Sequence, residues 1–252
     1  MINKETMEIV SSEQIAKDTI EMVLKNKYIS TNAVPGQFLH IAVLGNTLRR
    51  PISIAAVDEA KELVTILFKI IGSGTDVLAN YPIGSTVDVL GPSGNGFPLN
   101  KVTSSDRVLL IGGGIGVPPL YYLATALHSL GVHMQIVIGF QSKEFVFYEA
   151  AFEALGETTV VTNDGSYGEK GYVTNVVDTL DPFDRYYTCG PRAMLQAVKR
   201  VFPDKEGYIS FEERMGCGIG ACLACVIDST DGSSYKKICQ DGPVFAANEV
   251  SI

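Results

Sequence analysis

The sequence predicts a β-rich N-terminal barrel, a doubly wound parallel α/β unit and a small C-terminal tail built around cysteines. Three observations carry this. Short β-branched and aromatic runs fill the first hundred residues. Strand and helix patterns alternate over the next hundred. Four of the five cysteines crowd between Cys217 and Cys239. The expected divisions are residues 1–98, 99–205 and 206–252.

In the first region the expected strands are Glu8–Val10, Thr19–Leu24, Gln37–Val43, Leu63–Lys69 and Thr86–Leu90. Gly, Pro, Asn and Asp punctuate them at intervals, the mark of an antiparallel barrel or sandwich. A short helix over Gly74–Ala79 is expected to begin with Thr75 as its N-cap and to stop before Tyr81-Pro82. The turn-forming run Gly91–Pro98 closes the region.

The second region changes period. Arg107–Ile111, Gln135–Phe140, Thr158–Thr162 and Arg185–Cys189 read as strands. Helices are expected through Leu120, Leu123, Leu127 and Leu130, over Phe147–Leu155, from Val173, and over Pro191–Val201, where the proline suits a helix start. Strands alternating with helices imply a mostly parallel sheet covered on both faces.

Composition narrows the function classes. The chain has 252 residues, 46% of them hydrophobic and 19% charged, with a net charge of −8. It is long enough for a sizeable core. The acidic balance and the lack of a basic run argue against nucleic-acid binding. The least charged stretch, Val108–Leu127, holds four glycines and two prolines, which a span of ~20 apolar residues would not carry, so no membrane role is expected. The N-terminus lacks an apolar signal core, and five thiols, an odd number with four of them clustered, suit a reducing compartment, so a cytoplasmic location is expected.

The cysteines are spaced Cys217-x4-Cys222-x2-Cys225-x13-Cys239. The first three follow the plant-type [2Fe–2S] pattern, with a distant fourth ligand. The surrounding glycines let amide N–H groups approach the sulfurs. The rival is a structural zinc module, but zinc sites pair two short Cys hooks and Cys239 stands alone. None of His40, His128 and His133 lies near the cluster in sequence, which disfavours a Rieske centre. Cys189 lies outside the pattern, at a strand end.

Two further motifs stand out. Gly112-Gly113-Gly114-Ile115-Gly116 joins a strand to a helix, where a tight turn and a helix N-terminus suit a dinucleotide phosphate. It departs from G-x-G-x-x-G, because the last place falls on Val117, and such a turn also serves as a ligand-free connection. Arg50-Pro51-Ile52-Ser53 offers a fork of donors on a stiffened chain, and Gly72-Ser73-Gly74-Thr75 offers a second cradle. A surface Arg beside a turn is the plainer reading of the first. His40 is expected to be a structural histidine.

In this order, Arg-Pro-x-Ser, Gly-Gly-Gly-x-Gly-x-x-Pro and Cys-Gly-Pro resemble the ferredoxin-reductase superfamily. With the cysteine tail, the whole chain resembles its electron-transfer subunits of two-subunit, NAD-dependent (class 1B) dihydroorotate dehydrogenases. The resemblance implies FAD on Arg50, Pro51, Ile52, Ser53, Leu67, Phe68, Lys69, Gly74 and Thr75. It implies NAD on Gly112, Gly113, Gly114, Ile115, Gly116, Cys189, Gly190 and Pro191, beside a sheet-edge loop Asn163–Ser166. It implies a [2Fe–2S] cluster on Cys217, Cys222, Cys225 and Cys239. It also implies an FMN-containing catalytic subunit as partner, in a heterotetramer of two of each, because this chain has no length for a further barrel of ~250 residues. No acid–base catalytic residue is expected. Near the second α/β strand only Lys143 could meet a 2′-phosphate, and it adjoins Glu144, so NAD is expected over NADP. The alternative within the same chemistry is a flavin/iron–sulfur reductase subunit serving another redox partner.

Overall fold

The computed structural model describes residues 2–232 and 234–252. The chain begins with β1 (Asn3–Ala16), β2 (Thr19–Lys25), helix α1 (Lys27–Asn32), β3 (Phe38–Ile41), β4 (Arg50–Asp58), β5 (Leu63–Lys69), helix α2 (Ser73–Ala79) and β6 (Thr86–Ser93). These six strands close into a barrel in the order β1-β2-β5-β4-β3-β6, every neighbour antiparallel. Closure leaves no unpaired edge. Residues two apart point the same way along a strand. Met7 with Ile9, Met22 with Leu24, Val64 with Ile66 and Val87 with Val89 accordingly fill the interior, each 2% exposed or less.

Local details differ from the sequence reading. Arg50–Ser53 follows β3 and itself opens β4, a strand absent from the sequence reading, with Pro51 opposite His40 and Ser53 opposite Phe38. A proline argues against a strand except near its start, where Pro51 sits. Thr75 is not an N-cap: α2 is capped at Gly72, and the Thr75 hydroxyl reaches back to accept from the Ile71 amide and donate to the Gly72 carbonyl, both at 3.1 Å.

The chain continues through β7 (Arg107–Gly113), α3 (Val117–Ser129), β8 (His133–Phe140), α4 (Glu149–Glu153), β9 (Glu157–Thr162), β10 (Glu169–Lys170), β11 (Arg185–Cys189) and α5 (Arg192–Val201). It ends with β12 (Glu206–Ser210), β13 (Val226–Asp228), β14 (Tyr235–Lys237) and β15 (Val244–Ala246). One seven-stranded sheet runs β10-β9-β8-β7-β11-β12-β15. It is parallel except for β15, which returns antiparallel to β12. The α/β sheet therefore continues through 206–210 and takes a strand from the C-terminal segment. β13 and β14 form a separate hairpin.

The sheet is covered on both faces. Leu109 and Ile111 join a core with Leu195 and Val198 of α5, whereas Val108 and Leu110 join one with Leu120, Leu123 and Leu127 of α3. The first core also takes in Cys225, Ile227, Ile238, Cys239 and Phe245, which fastens the cysteine tail to the sheet. The expected helix over Phe147–Leu155 shrinks to α4 because Tyr148 adopts φ 63°. The segment from Val173 is a 3-10 helix to Thr179, burying Val173 and Val176 three apart, the spacing that stacks on one side of a three-residue turn.

Barrel and sheet are joined by specific contacts. The α3 helix packs on β4. The buried Tyr122 hydroxyl donates to the Ala33 carbonyl at 2.9 Å, and Tyr148 donates to the Glu21 carboxylate. The chain reverses its order across the sheet at β7, whose neighbours are β8 and β11. The turns leaving β7 and β11 meet there. A Cβ on Gly116 would lie 2.4 Å from the Cys189 carbonyl carbon and oxygen. Gly116→Ala should cost about 1–3 kcal/mol of stability, since backbone cannot yield as a side-chain tip can. Thermal unfolding checks this against Gly72→Ala, which meets nothing within 4 Å; an unchanged melting temperature for Gly116→Ala would refute the close approach.

Candidate functional site

Two cavities and a cysteine loop lie where barrel, sheet and tail meet. The first cavity, about 490 Å³, opens on the barrel. All nine residues from the Arg50–Ser53, Leu67–Lys69 and Gly74–Thr75 segments line it, as does Ile115. Strands β4 and β5 supply its floor and the start of α2 one end. Arg50 lies flat over Gly74: a Cβ there would come within 2.2 Å of the guanidinium. Its other contacts are the Asn46 side-chain oxygen, at 2.6 Å, and the Leu48 carbonyl. The guanidinium is thus held at the mouth of α2 by neutral acceptors, and among the described residues no ion pair spends its charge.

The second cavity, about 620 Å³, lies over the carboxyl ends of the parallel strands. Gly113, Gly114, Ile115 and Pro191 line it, joined by Phe140, Asn163 and Met194. This is the crevice at a strand-order reversal, where open α/β sheets bind ligands. Gly112, Gly116, Cys189 and Gly190 do not line it. They form the layer behind, where their backbones pack against one another. Cys189 is fully buried, and burial pushes its thiol well up, so it is an inert wall residue. Lys69 and Ile115 line both cavities, so the two spaces share a wall.

Sequence reasoning missed part of the first cavity. Phe211–Met215 and Pro243 line it from the tail, and Phe38 from β3. No local pattern marks the tail residues, because tertiary folding brings them from more than a hundred residues away.

The cysteine loop is organised by amides. The Cys222 amide donates to the Cys217 sulfur at 3.3 Å, the Gly220 amide to the Cys239 sulfur at 3.2 Å, and the Cys217 amide to the Cys222 sulfur at 3.5 Å. Gly220 adopts φ +79°, and a Cβ there would strike the Gln240 side chain at 1.9 Å. Burial opposes ionisation of Cys217, but the Ile219 amide and Cys222 outweigh it and bring the thiol down to about 7. Burial first and Cys225 second push Cys239 up to about 12. All five cysteines are free. Amide donors aimed at sulfurs suit an anionic iron–sulfur centre.

Against the loop, at Gly218, stands His40 of β3. It is fully buried, and burial first, then the Arg49 cation, hold its ring near pKa 4, so it is neutral.

A closed antiparallel barrel joined to a parallel sheet, with cavities on both sides of the junction, defines a ferredoxin-reductase-like oxidoreductase. Solved structures agree. A chain of the NADH-dependent reduced ferredoxin-NADP oxidoreductase structure, from work on flavin-based electron bifurcation, superposes with TM-score 0.89 at 30% identity, over 99% of this chain and 91% of that one. The Amycolatopsis cytochrome P450 reductase GcoB shares the fold with TM-score 0.69 at 19% identity, over 80% of this chain and 66% of that one. Residues 6–97 match the oxidoreductase FAD-binding domain family. Residues 212–251 match the iron–sulfur cluster binding domain of dihydroorotate dehydrogenase B, which displaces the zinc alternative. The dihydroorotate dehydrogenase B (NAD(+)) electron transfer subunit of Lysinibacillus sphaericus is 50% identical over the full length of both chains. That of a Geobacillus strain is 48% identical over 99% of both. The chain belongs to the family of electron-transfer subunits of NAD-dependent dihydroorotate dehydrogenase B.

The position of Arg50 has a direct consequence. Charge-assisted hydrogen bonds contribute about 1.5–3 kcal/mol each, so, if Arg50 holds the FAD phosphates as the family resemblance implies, Arg50→Ala should weaken retention of FAD roughly 10- to 100-fold. Flavin occupancy during dilution measures it, and full occupancy at low FAD would remove Arg50 from that role.

Proposed function

We propose that this chain carries electrons between NAD(H) and a separate FMN-containing catalytic subunit that interconverts dihydroorotate and orotate, in a heterotetramer of two of each chain. The observation that supports it most is the shared wall. A flavin in the first cavity and a nicotinamide in the second would meet across Lys69 and Ile115. FAD supplies the chemistry that links a two-electron hydride carrier to a one-electron [2Fe–2S] centre.

The chain's own residues bind, orient and shield. Arg50 and the opening of α2 take the flavin's phosphates, and Pro51, Ile52, Ser53, Leu67 and Phe68 hold its ring system along β4 and β5. Gly113 and Gly114 let a dinucleotide approach the end of β7, while Gly112, Gly116, Cys189, Gly190 and Pro191 set the shape of that surface. Cys217, Cys222, Cys225 and Cys239 ligate the cluster. The segments 1–98, 99–205 and 206–252 serve as flavin, nicotinamide and cluster units, the last also lending strands to the sheet. Lys143 supports NAD over NADP, because its ammonium lies 5.5 Å from the centre of the Tyr167 ring and its amide donates to Ser166.

Electrons leave through the cysteine loop. Ile219 and Leu223, 50% and 60% exposed, with Val226 and Tyr235 nearby in the same segment, offer an apolar rim for the catalytic subunit. Five free thiols fit a cytoplasmic setting. Among the described residues no helix is long and apolar enough to cross a membrane. The relative with TM-score 0.89 favours a second reading, a reductase subunit for another redox partner, and co-purification of an FMN protein separates the two.

An anaerobic absorbance spectrum before and after NADH tests the proposal. Flavin bands and a broad iron–sulfur absorbance, both bleached by NADH, are expected; a colourless protein would sink it. Cys222→Ser should lose or distort the cluster while keeping FAD. Iron content equal to wild type would contradict the ligand assignment.

A further inference from the structure

His40 is an anomaly on purely structural grounds. Its side chain is 0% exposed, yet neither Nδ1 nor Nε2 has a hydrogen-bond partner among the described residues. A buried donor or acceptor left unpaired carries its full desolvation penalty, which a leucine or phenylalanine at this place would avoid. Phe38, two residues away and so on the same face of β3, is apolar and 3% exposed, so this face tolerates apolar residues. A neutral imidazole carries one N–H and one bare nitrogen, and both need a partner.

The surroundings limit what that partner is. Across the β3–β4 pair His40 faces Pro51, which has no N–H. The Arg49 guanidinium is spent on the His40 carbonyl, at 3.2 Å, and on Asp88. A close approach comes from the cysteine loop. Gly218, next to Cys217, adopts φ +70°, and a Cβ there would lie 2.2 Å from His40 Nδ1. The ring therefore presses on the loop backbone at the one residue type that lets it in. His40 does not line the flavin cavity, although Phe38, two residues away, does. The amides of Cys217, Gly220 and Cys222 already point at sulfurs.

We infer that the buried ring of His40 donates its N–H to a sulfur of the iron–sulfur centre held by this loop, a side-chain donor reaching from the barrel to the cluster. The inference rests on the cluster assignment made above. A donor stabilises the reduced centre more than the oxidised one, because reduction adds negative charge. His40 thus raises the cluster's potential and makes it a better acceptor from the flavin side.

The test uses the full chain with FAD and cluster bound, titrated by EPR and absorbance in wild type, His40→Leu and His40→Asn. In His40→Leu the reduced-to-oxidised ratio of the cluster at a fixed potential should fall about tenfold, which is 59 mV for one electron, with the flavin potential unmoved. His40→Asn, whose side-chain amide can stand near the place of Nδ1, should recover a large part of the shift. An iron-loaded His40→Leu with an unchanged cluster potential overturns the inference. A shift in the flavin alone also overturns it, by assigning the ring to FAD.

A second measurement needs no variant. Electron spin-echo modulation of the reduced wild-type cluster, with and without ¹⁵N-labelled histidine, should change with the label. Identical spectra refute the contact. Wild-type protein that binds no iron would instead remove the cluster assignment itself, a different failure from iron-loaded protein with no histidine dependence.

Discussion

The molecule depends on one close approach, that of the turn leaving β7 to the turn leaving β11. Gly116 stands where any Cβ would run into the Cys189 and Gly190 backbone, at 2.4–2.5 Å. Because the two turns touch, the β7 turn can project Ile115 outward into both cavities, while Cys189 is sealed behind. A looser junction would separate the spaces proposed for flavin and nicotinamide. Hydride transfer needs reacting atoms about 3–3.5 Å apart, so the packing of two glycine-bearing turns acts directly on chemistry.

The same logic recurs at the cysteine loop. Gly218 and Gly220 adopt left-handed conformations, and side chains from elsewhere fill the space a Cβ would take, His40 at the first and Gln240 at the second. Glycine here does more than permit a turn. It allows amide donors to converge on sulfur while the barrel and the tail close over them. The tail is in turn bound to the sheet through β15 and through Cys225, Cys239 and Phe245 in its core. Barrel, sheet and tail are therefore mutually dependent at the place where electrons must pass.

Much of this was legible in the sequence because the signals are local. Period-two burial in the barrel strands, the β/α alternation and the Cys217–Cys225 spacing each lie within a short window. The nine barrel residues attributed to FAD do converge on one cavity. What was not legible depends on distant partners. Phe211–Met215 joins the first cavity only after β12 has paired with β11, and β15 with β12. Pro51 hid the start of β4, since proline speaks against a strand when its neighbours are unknown. Tyr148 broke the expected helix by taking a left-handed conformation that no residue-type rule assigns to tyrosine. His40 reads as an ordinary strand histidine until its unpartnered nitrogens and its contact with Gly218 are seen together.

The four clustered thiols also differ in burial. Cys225 and Cys239 are 3% and 0% exposed and belong to the core that backs the sheet. Cys217 and Cys222 are half-buried, on the stretch that carries the exposed Ile219 and Leu223. A cluster bound by all four would be anchored on its protein side and presented on the other. The buried side lowers the local dielectric and disfavours added charge, and the amide donors offset that cost. The presented side is flanked by apolar surface that an isolated chain leaves in water. A partner covering Ile219 and Leu223 would bury that surface and shorten the distance to the cluster in the same step, so docking and electron transfer would use one surface.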